Sequence, residues 1–299
     1  MTSLNSAGQI NKPISKNENT PENYWSGVGK RIKNDPVTII VGAVLAGIFL
    51  LAIFAPLITG HDPYQGNVMA RLSPVGTEGH WLGTDEVGRD MWARIVYGAR
   101  LSLLAGIAPV LIALMIGGSL GILAGYTGGI TNTLIMRIMD VFYAFPAVLL
   151  AVAINGVLGT GLVNTLIALT ITFIPPLTRI SESVTTQCRS ADYVEAAKAS
   201  GARSITIIRQ HILANVIGQI LVYATSLISL SIILAAGISF LGLGVSPPAA
   251  EWGLMLNNLR QAIWVNPLLA ALPGLAIFIT SMCFNLLSDG LRSAMDVRL

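Results

Sequence analysis

The chain has few residues that could do chemistry, and their spacing limits what that chemistry could be. Two of its three histidines, His61 and His80, share one polar segment with Asp62. Imidazole and carboxylate are the ligand types of a divalent metal, but isolated histidines in a loop are ordinarily polar surface, so no metal site is expected. Asp85, Glu86, Arg89, Asp90 and Arg94 follow closely. Within this group Glu86, Asp90 and Arg94 stand at i, i+4 and i+8, opposite Val87, Met91, Ile95 and Ala99. On a helix that spacing makes one charged and one apolar face, and predicts an amphipathic helix lying on a membrane or a neighbouring subunit. Its charges could receive a soluble binding protein, or the helix could serve as a strut capping a bundle. Farther on, Thr225, Ser226 and Ser229 place hydroxyls on adjoining positions of one helical face, where they could line a polar path or make helix–helix contacts.

The densest group runs from Asp192 to Asn215, a charged, small-residue island between apolar stretches. Asp192 followed three residues later by Glu195 is a capping-box pattern. Ala196, Ala197 and Ala199 propagate a helix, and Gly201 supplies a left-handed terminator. The expected element is about eight residues and roughly 12 Å long, too short to span a bilayer. Such a helix suits a pocket on another protein.

Other chemistry is missing. Gly29-Lys30 is followed by Arg31 in a polar leader, so no phosphate-cradling loop exists and the chain cannot hydrolyse ATP alone. No ionisable residue falls near the middle of any long apolar stretch, whereas proton-coupled carriers need such groups. That argues against an ATPase-independent carrier or channel. No His/Asp/Glu cluster or Ser–His pairing lies within helical reach, which argues against an integral-membrane enzyme. Cys188 and Cys283 lie too far apart in sequence to suggest a disulfide framework or metal spacing. A net charge of +3 gives no case for nucleic acid.

The elements that must position these residues are membrane helices. Only 11% of residues are charged and 53% are hydrophobic, with a mean hydropathy of +0.69. Soluble domains have about a quarter of their residues charged, so lipid is the main solvent here. Residues 1–36 read as a polar, mobile tail whose Trp25, Lys30, Arg31 and Lys33 could rest on an anionic membrane surface. Six spans are expected, at about 37–59, 101–125, 134–155, 162–179, 216–243 and 267–288, each long enough for a hydrocarbon core of about 30 Å. The pieces between and around them are an outer segment 60–100, a five-helix core 101–290 containing the loop 183–215, and a tail 291–299. Six spans put both termini on one side. That side holds 13 Lys and Arg residues against 5 on the other, so the termini and the Glu195 loop are expected in the cytoplasm. Trp81, Trp92, Trp252 and Trp264 fall in the outer segments, as interfacial anchors do.

Glu195-Ala196-Ala197, three residues, Gly201, nine residues, then His211 and Leu213 resembles the EAA loop of ABC-importer permeases. Leu82-Gly83-Thr84-Asp85, Gly88-Arg89-Asp90, Tyr97-Gly98-Ala99-Arg100, Arg137 with Asp140 and Pro146, Glu251-Trp252-Gly253 and Asp289-Gly290 are similar to one branch, the C-type permeases of dipeptide, oligopeptide and nickel importers. The likeness covers everything after about Asn34 and departs at Ala214, where the family usually has proline. It implies an all-α type I importer permease fold in a bacterial inner membrane. Its expected partners are a paralogous permease, two cytoplasmic ATPase subunits and an extracytoplasmic solute-binding protein. ATP and magnesium would be bound by the ATPases and no cofactor by this chain. The docking residues it implies are Tyr193, Glu195, Ala196, Ala197 and Gly201, with Arg203 and His211 in support. Short peptides are the expected solute, because the spans offer no deep metal ligands; a chelated nickel escapes that reasoning and stays open.

Overall fold

The computed structural model describes residues 24–295. Residues 1–23 and 296–299, and the side chains of Tyr24 and Trp25, lie outside the described residues, and with them most of the expected tail. Within the described part, α1 (Tyr24–Asn34) is a helix, and Arg31 donates to the Ala294 carbonyl 3.2 Å away. Asp35 then caps α2 (Pro36–Ile53), accepting from the Val37 N–H at 3.1 Å, with Pro36 at the first helical position where its missing N–H costs nothing. A short α3 (Ala55–Ile58) follows. The long helices are α4 (Met91–Thr127), α7 (Leu162–Arg189), α10 (Leu213–Phe240) and α12 (Pro267–Met295). Between them lie α5 (Gly129–Tyr143), α6 (Ala147–Leu158), α8 (Asp192–Ala199), α9 (Ser204–Thr206) and α11 (Trp252–Leu259).

Among the described residues five helices are long and apolar enough to cross a membrane, and there are six if the bent pair of α5 with α6 counts as one span. The expected third span, 134–155, is therefore not one straight helix. Its two halves meet at 84° where Ala144, Phe145 and Pro146 leave the helical ladder. Proline has no N–H to give and crowds the preceding turn, so the break falls where that residue stands.

The central contact is between α4 and α7, which run parallel in close approach. Gly117, Gly121 and Gly125 form one stripe of α4. A Cβ at Gly121 would stand 2.3 Å from the Thr178 carbonyl oxygen, and those at Gly117 and Gly125 would stand 2.7 Å from the Ile174 and Glu182 oxygens. Only hydrogen at these positions lets the two backbones meet, the small-residue packing common in membranes. Sequence reading passed over this stripe.

The expected amphipathic helix at 86–99 is not formed. Asp85 to Gly88 is a tight turn, with the Gly88 N–H on the Asp85 carbonyl at 3.0 Å. Asp90 caps α4, accepting from the Ala93 N–H at 2.7 Å, so Met91 onward is the start of a span rather than a surface helix. The charges face inward. Asp85 Oδ2 accepts from Arg89 Nε at 2.6 Å and Arg94 Nε at 3.2 Å. Arg94 also donates to the carbonyls of Pro63, Pro248 and Ala249 at 3.0, 3.4 and 3.2 Å. This network clamps the 60–90 segment to the loop before α11. Arg94 is 1% exposed. Arg94→Met strands three carbonyls and half-empties the Asp85 site, and should destabilise the protein by about 3 kcal/mol, read as a lower melting temperature in detergent.

Candidate docking loop and translocation cavity

The end of α7 and the start of α10 hold α8 from both sides. Ser190 ends α7 with its hydroxyl on the Gln187 carbonyl at 2.9 Å, and Ala191 takes an extended conformation. Ala191, not Asp192, is the N-cap. No side chain caps the helix, and the Ala191 carbonyl accepts the Glu195 N–H at 3.2 Å. The expected capping box is therefore not formed: Asp192 is the first residue of the helix rather than its cap. Asp192 and Glu195 still complement the positive helix end, and Lys198 the negative one.

The other terminus forms as the sequence predicts. Gly201 has φ +78°, its N–H bonds the Lys198 carbonyl at 3.0 Å, and the Ala202 N–H bonds the Ala197 carbonyl at 3.1 Å. That is the paired 5→2 and 6→1 pattern of a glycine-terminated helix. One face of α8 is anchored by Val194, which is fully buried with Val184, Ile207, Ile212 and Val216. The opposite face, with Tyr193, Glu195, Ala196 and Ser200, is exposed, as are Gly201 and Arg203, while Ala197 and His211 are half-buried. Lys198 Nζ lies 5.9 Å from the centre of the Tyr126 ring at the foot of α4.

Tyr193 is fixed by its neighbours. Its hydroxyl lies 3.1 Å from Cys188 Sγ, and its ring centre is 6.3 Å from that of His211. The Cys188 hydrogen bond, followed by partial burial, pushes the phenol up to about 12, so Tyr193 stays neutral in any physiological medium. Beyond Arg203 the chain winds through α9 and a π-helical turn, Ile207–Ile212, into α10. Ala214 keeps an N–H where the family usually has proline, and the helical run Ser204–Phe240 continues through it.

The expected path residues bond within their own helix or are packed inside the bundle. Thr225 and Ser226 donate to the carbonyls of Leu221 and Tyr223 in their own helix, at 2.9 and 2.7 Å, and Ser229 is buried. A cavity of about 460 Å³ lies instead at the break between α5 and α6. Tyr143, Phe145, Pro146, Thr172, Pro175 and Tyr223 contribute to its wall. Arg179 stacks at 4.7 Å on Tyr143 and pairs with Asp140, which also lies 3.7 Å from Arg137. Sequence reading treated Pro146 and Pro175-Pro176 as tolerated interruptions. Phe145 beside Pro146 and Phe173 two residues before Pro175 were the available signals for a wall.

Of the five charged residues around the start of α4, Asp85, Arg89 and Arg94 form the clamp described above and Asp90 caps the helix. Asp85, Arg89, Asp90 and Arg94 are buried, and Glu86 alone of them is partly open, paired with Arg89 at 2.9 Å. Asp62, one of the three residues of metal-ligand type in that segment, accepts the Tyr64 N–H at 2.8 Å as a turn cap. His61 and His80 do approach one another, with ring centres 5.1 Å apart.

Residues 117–299 match the family described as "Binding-protein-dependent transport system inner membrane component". The chain belongs to this family. Residues 23–74 match a second description, the N-terminal TM domain of oligopeptide transport permease C, which places this permease in the C-type branch. It is 41% identical over 275 residues to the glutathione transport system permease protein GsiD of Pectobacterium atrosepticum, covering 92% of this chain and 91% of that one. It is 40% identical over 289 residues to the dipeptide transport system permease protein DppC of Alkalihalophilus pseudofirmus, covering 97% and 95%. A probable D,D-dipeptide transport system permease protein of Escherichia coli K12 is 39% identical over 265 residues, 89% of each chain. Among solved structures, an inward-facing MetNI methionine ABC transporter chain superposes with a TM-score of 0.56 at 20% identity, covering 68% of this permease and 97% of that chain. The fold is that of a type I importer permease, and the protein is a multi-pass permease subunit of an inner-membrane ABC importer.

Proposed function

We propose that this permease forms half of an ATP-driven path importing short peptides, and that α8 is its docking element for an ATPase subunit. The exposed, small-residue face of α8, backed by the buried Val194, carries the docking assignment: a rigid, short helix with one free face fits a pocket on a partner. Tyr193, Glu195, Ala196, Ala197 and Gly201 make that contact, with Arg203 and His211 beside it. Two such ATPases bind ATP and magnesium; this chain binds no cofactor of its own. A paralogous permease completes the path, in line with the exposed Leu149 and Val157 of the bent pair, and an extracytoplasmic binding protein delivers the solute. Closure of the ATPases on ATP favours one of two bundle states through differential affinity, which is the requirement for alternating access.

Peptide as the solute is supported by the named solutes of the relatives and by the cavity. Its polar groups are the hydroxyls of Thr172, Tyr143 and Tyr223 and backbone, and its lining includes no His, Cys, Asp or Glu. That wall suits polar, variable ligands better than a bare nickel ion. Disrupting the gene and following uptake of a toxic dipeptide analogue beside radioactive nickel tests the assignment. Peptide uptake should fall with nickel accumulation intact; the reverse pattern identifies a nickel permease.

The orientation follows from the basic asymmetry, with both termini and α8 in the cytoplasm. In a variant lacking Cys188 and Cys283, a cysteine at exposed Glu78 should react with an impermeant maleimide in intact cells, and one at Ser200 only after lysis. Reaction at Ser200 in intact cells inverts the topology. Glu195→Ala removes an exposed charge without removing a cap, so peptide-stimulated ATP hydrolysis should drop by only about two- to fivefold, the range of a partly exposed charge contact.

A further inference from the structure

At the end of the bundle opposite α8, three side chains from separate stretches come together. One ligand atom from each of His61, His80 and Asp90 lies within 4.8 Å of the other two. We propose that His61, His80 and Asp90 form a binding site for a divalent transition metal of the Zn²⁺, Co²⁺ or Ni²⁺ class.

Each residue is positioned by its own backbone setting. Thr59, at the end of α3, donates its hydroxyl to the His61 carbonyl at 3.3 Å. His80 closes a turn, its N–H on the Thr77 carbonyl at 2.9 Å. Asp90 spends Oδ1 on the cap of α4, and Oδ2 faces His80 Nδ1 at 2.8 Å. A carboxylate held by one oxygen presents the other without rearrangement. In a tetrahedral site with bonds of about 2.0–2.1 Å, two ligand atoms stand about 3.3 Å apart, so the His80–Asp90 contact has to open by only about half an ångström.

Two imidazoles and one carboxylate favour borderline metals, whereas calcium and magnesium prefer oxygen alone. A cavity of about 370 Å³, lined also by Trp81 and Trp92, adjoins His61 and Asp90 and leaves room for a water in the fourth position. The indole N–H of Trp92 is buried and finds no acceptor among the described residues; a metal-bound water is a candidate for it. The bound ion would clip the stretch after the first span to the hairpin at His80 and the start of α4. This assignment does not depend on which solute the permease carries.

The chain has three histidines, and His211 lies on the docking loop at the other end, which makes the test clean. The untagged full chain, purified in detergent and stripped with chelator, is titrated with Co²⁺. One equivalent should bind at micromolar concentration with the intensified visible bands of a four-coordinate site, and Zn²⁺ should displace it. His61→Ala and His80→Ala should each weaken binding at least tenfold, and His211→Ala should leave it unchanged. His80→Ala also removes the Asp90 contact, so if it unfolds, His61→Ala decides alone, since His61 is exposed. Absence of saturable binding, or wild-type binding by His61→Ala, overturns the site.

Discussion

Gly201→Val should leave the permease inserted and assembled with its partners, yet cut peptide-stimulated ATP hydrolysis by about tenfold in the reconstituted complex. Gly201 has φ +78° and nothing within 4 Å of where a Cβ would stand, so crowding does not enter. The penalty is purely one of backbone. A left-handed residue with a side chain costs about 1–2 kcal/mol, more when β-branched, and about 1.4 kcal/mol is tenfold in an equilibrium. The chain can relieve it by opening the Ala202–Ala197 bond, which tilts the end of α8 and spoils its docking face. The spans lie outside this turn, so protein levels should not change. Gly201→Ala should give an intermediate rate. Full coupling by Gly201→Val removes the loop from the transmission path.

Gly121→Leu should abolish the folded permease itself. The first side-chain carbon already meets a backbone oxygen at 2.3 Å, and also Ser181 Cβ at 2.6 Å. Neither can swing aside as a flexible side chain does, so α4 and α7 must separate along their contact. Overpacking of this kind costs about 3 kcal/mol or more, and here it strikes the most intimate helix pair of the bundle. Gly118→Ala is the control on the next residue: its Cβ would meet only Leu114 at 3.7 Å and Ser181 at 3.9 Å, ordinary contacts. Yield of monodisperse protein in detergent should collapse for Gly121→Leu and hold for Gly118→Ala.

What could be read before folding was local. Hydropathy located the spans because lipid leaves the backbone no alternative to helix, and Gly201 announced its turn because few residues tolerate a left-handed backbone. The 86–99 pattern misled for a definite reason. A period of four charges fits a helix face, but it fits equally a turn, a cap and the first buried turn of a span, and only tertiary partners decide. Those partners, the carbonyls of Pro248 and Ala249, lie more than 150 residues along the chain from Arg94. Tyr143 and Tyr223 were silent as cavity residues for the same reason, since neither belongs to a local motif and the space between them exists only once α5 breaks from α6. Asp90 went unpaired with His80 because the reading gave them to different elements. The glycine stripe of α4 was visible in spacing, but its meaning depends on a backbone 57 or so residues away (Gly121 to Thr178) coming within reach.

The most direct measurement of the account is a cross-link from the exposed face of α8. A photoreactive amino acid at Ala196, in the complex assembled in its native membrane, should capture an ATPase subunit as the major product, and the same group at Glu78 should capture none. An Ala196 probe that captures no ATPase, or a Glu78 probe that does, contradicts the assignment of α8 as the element that couples this permease to ATP.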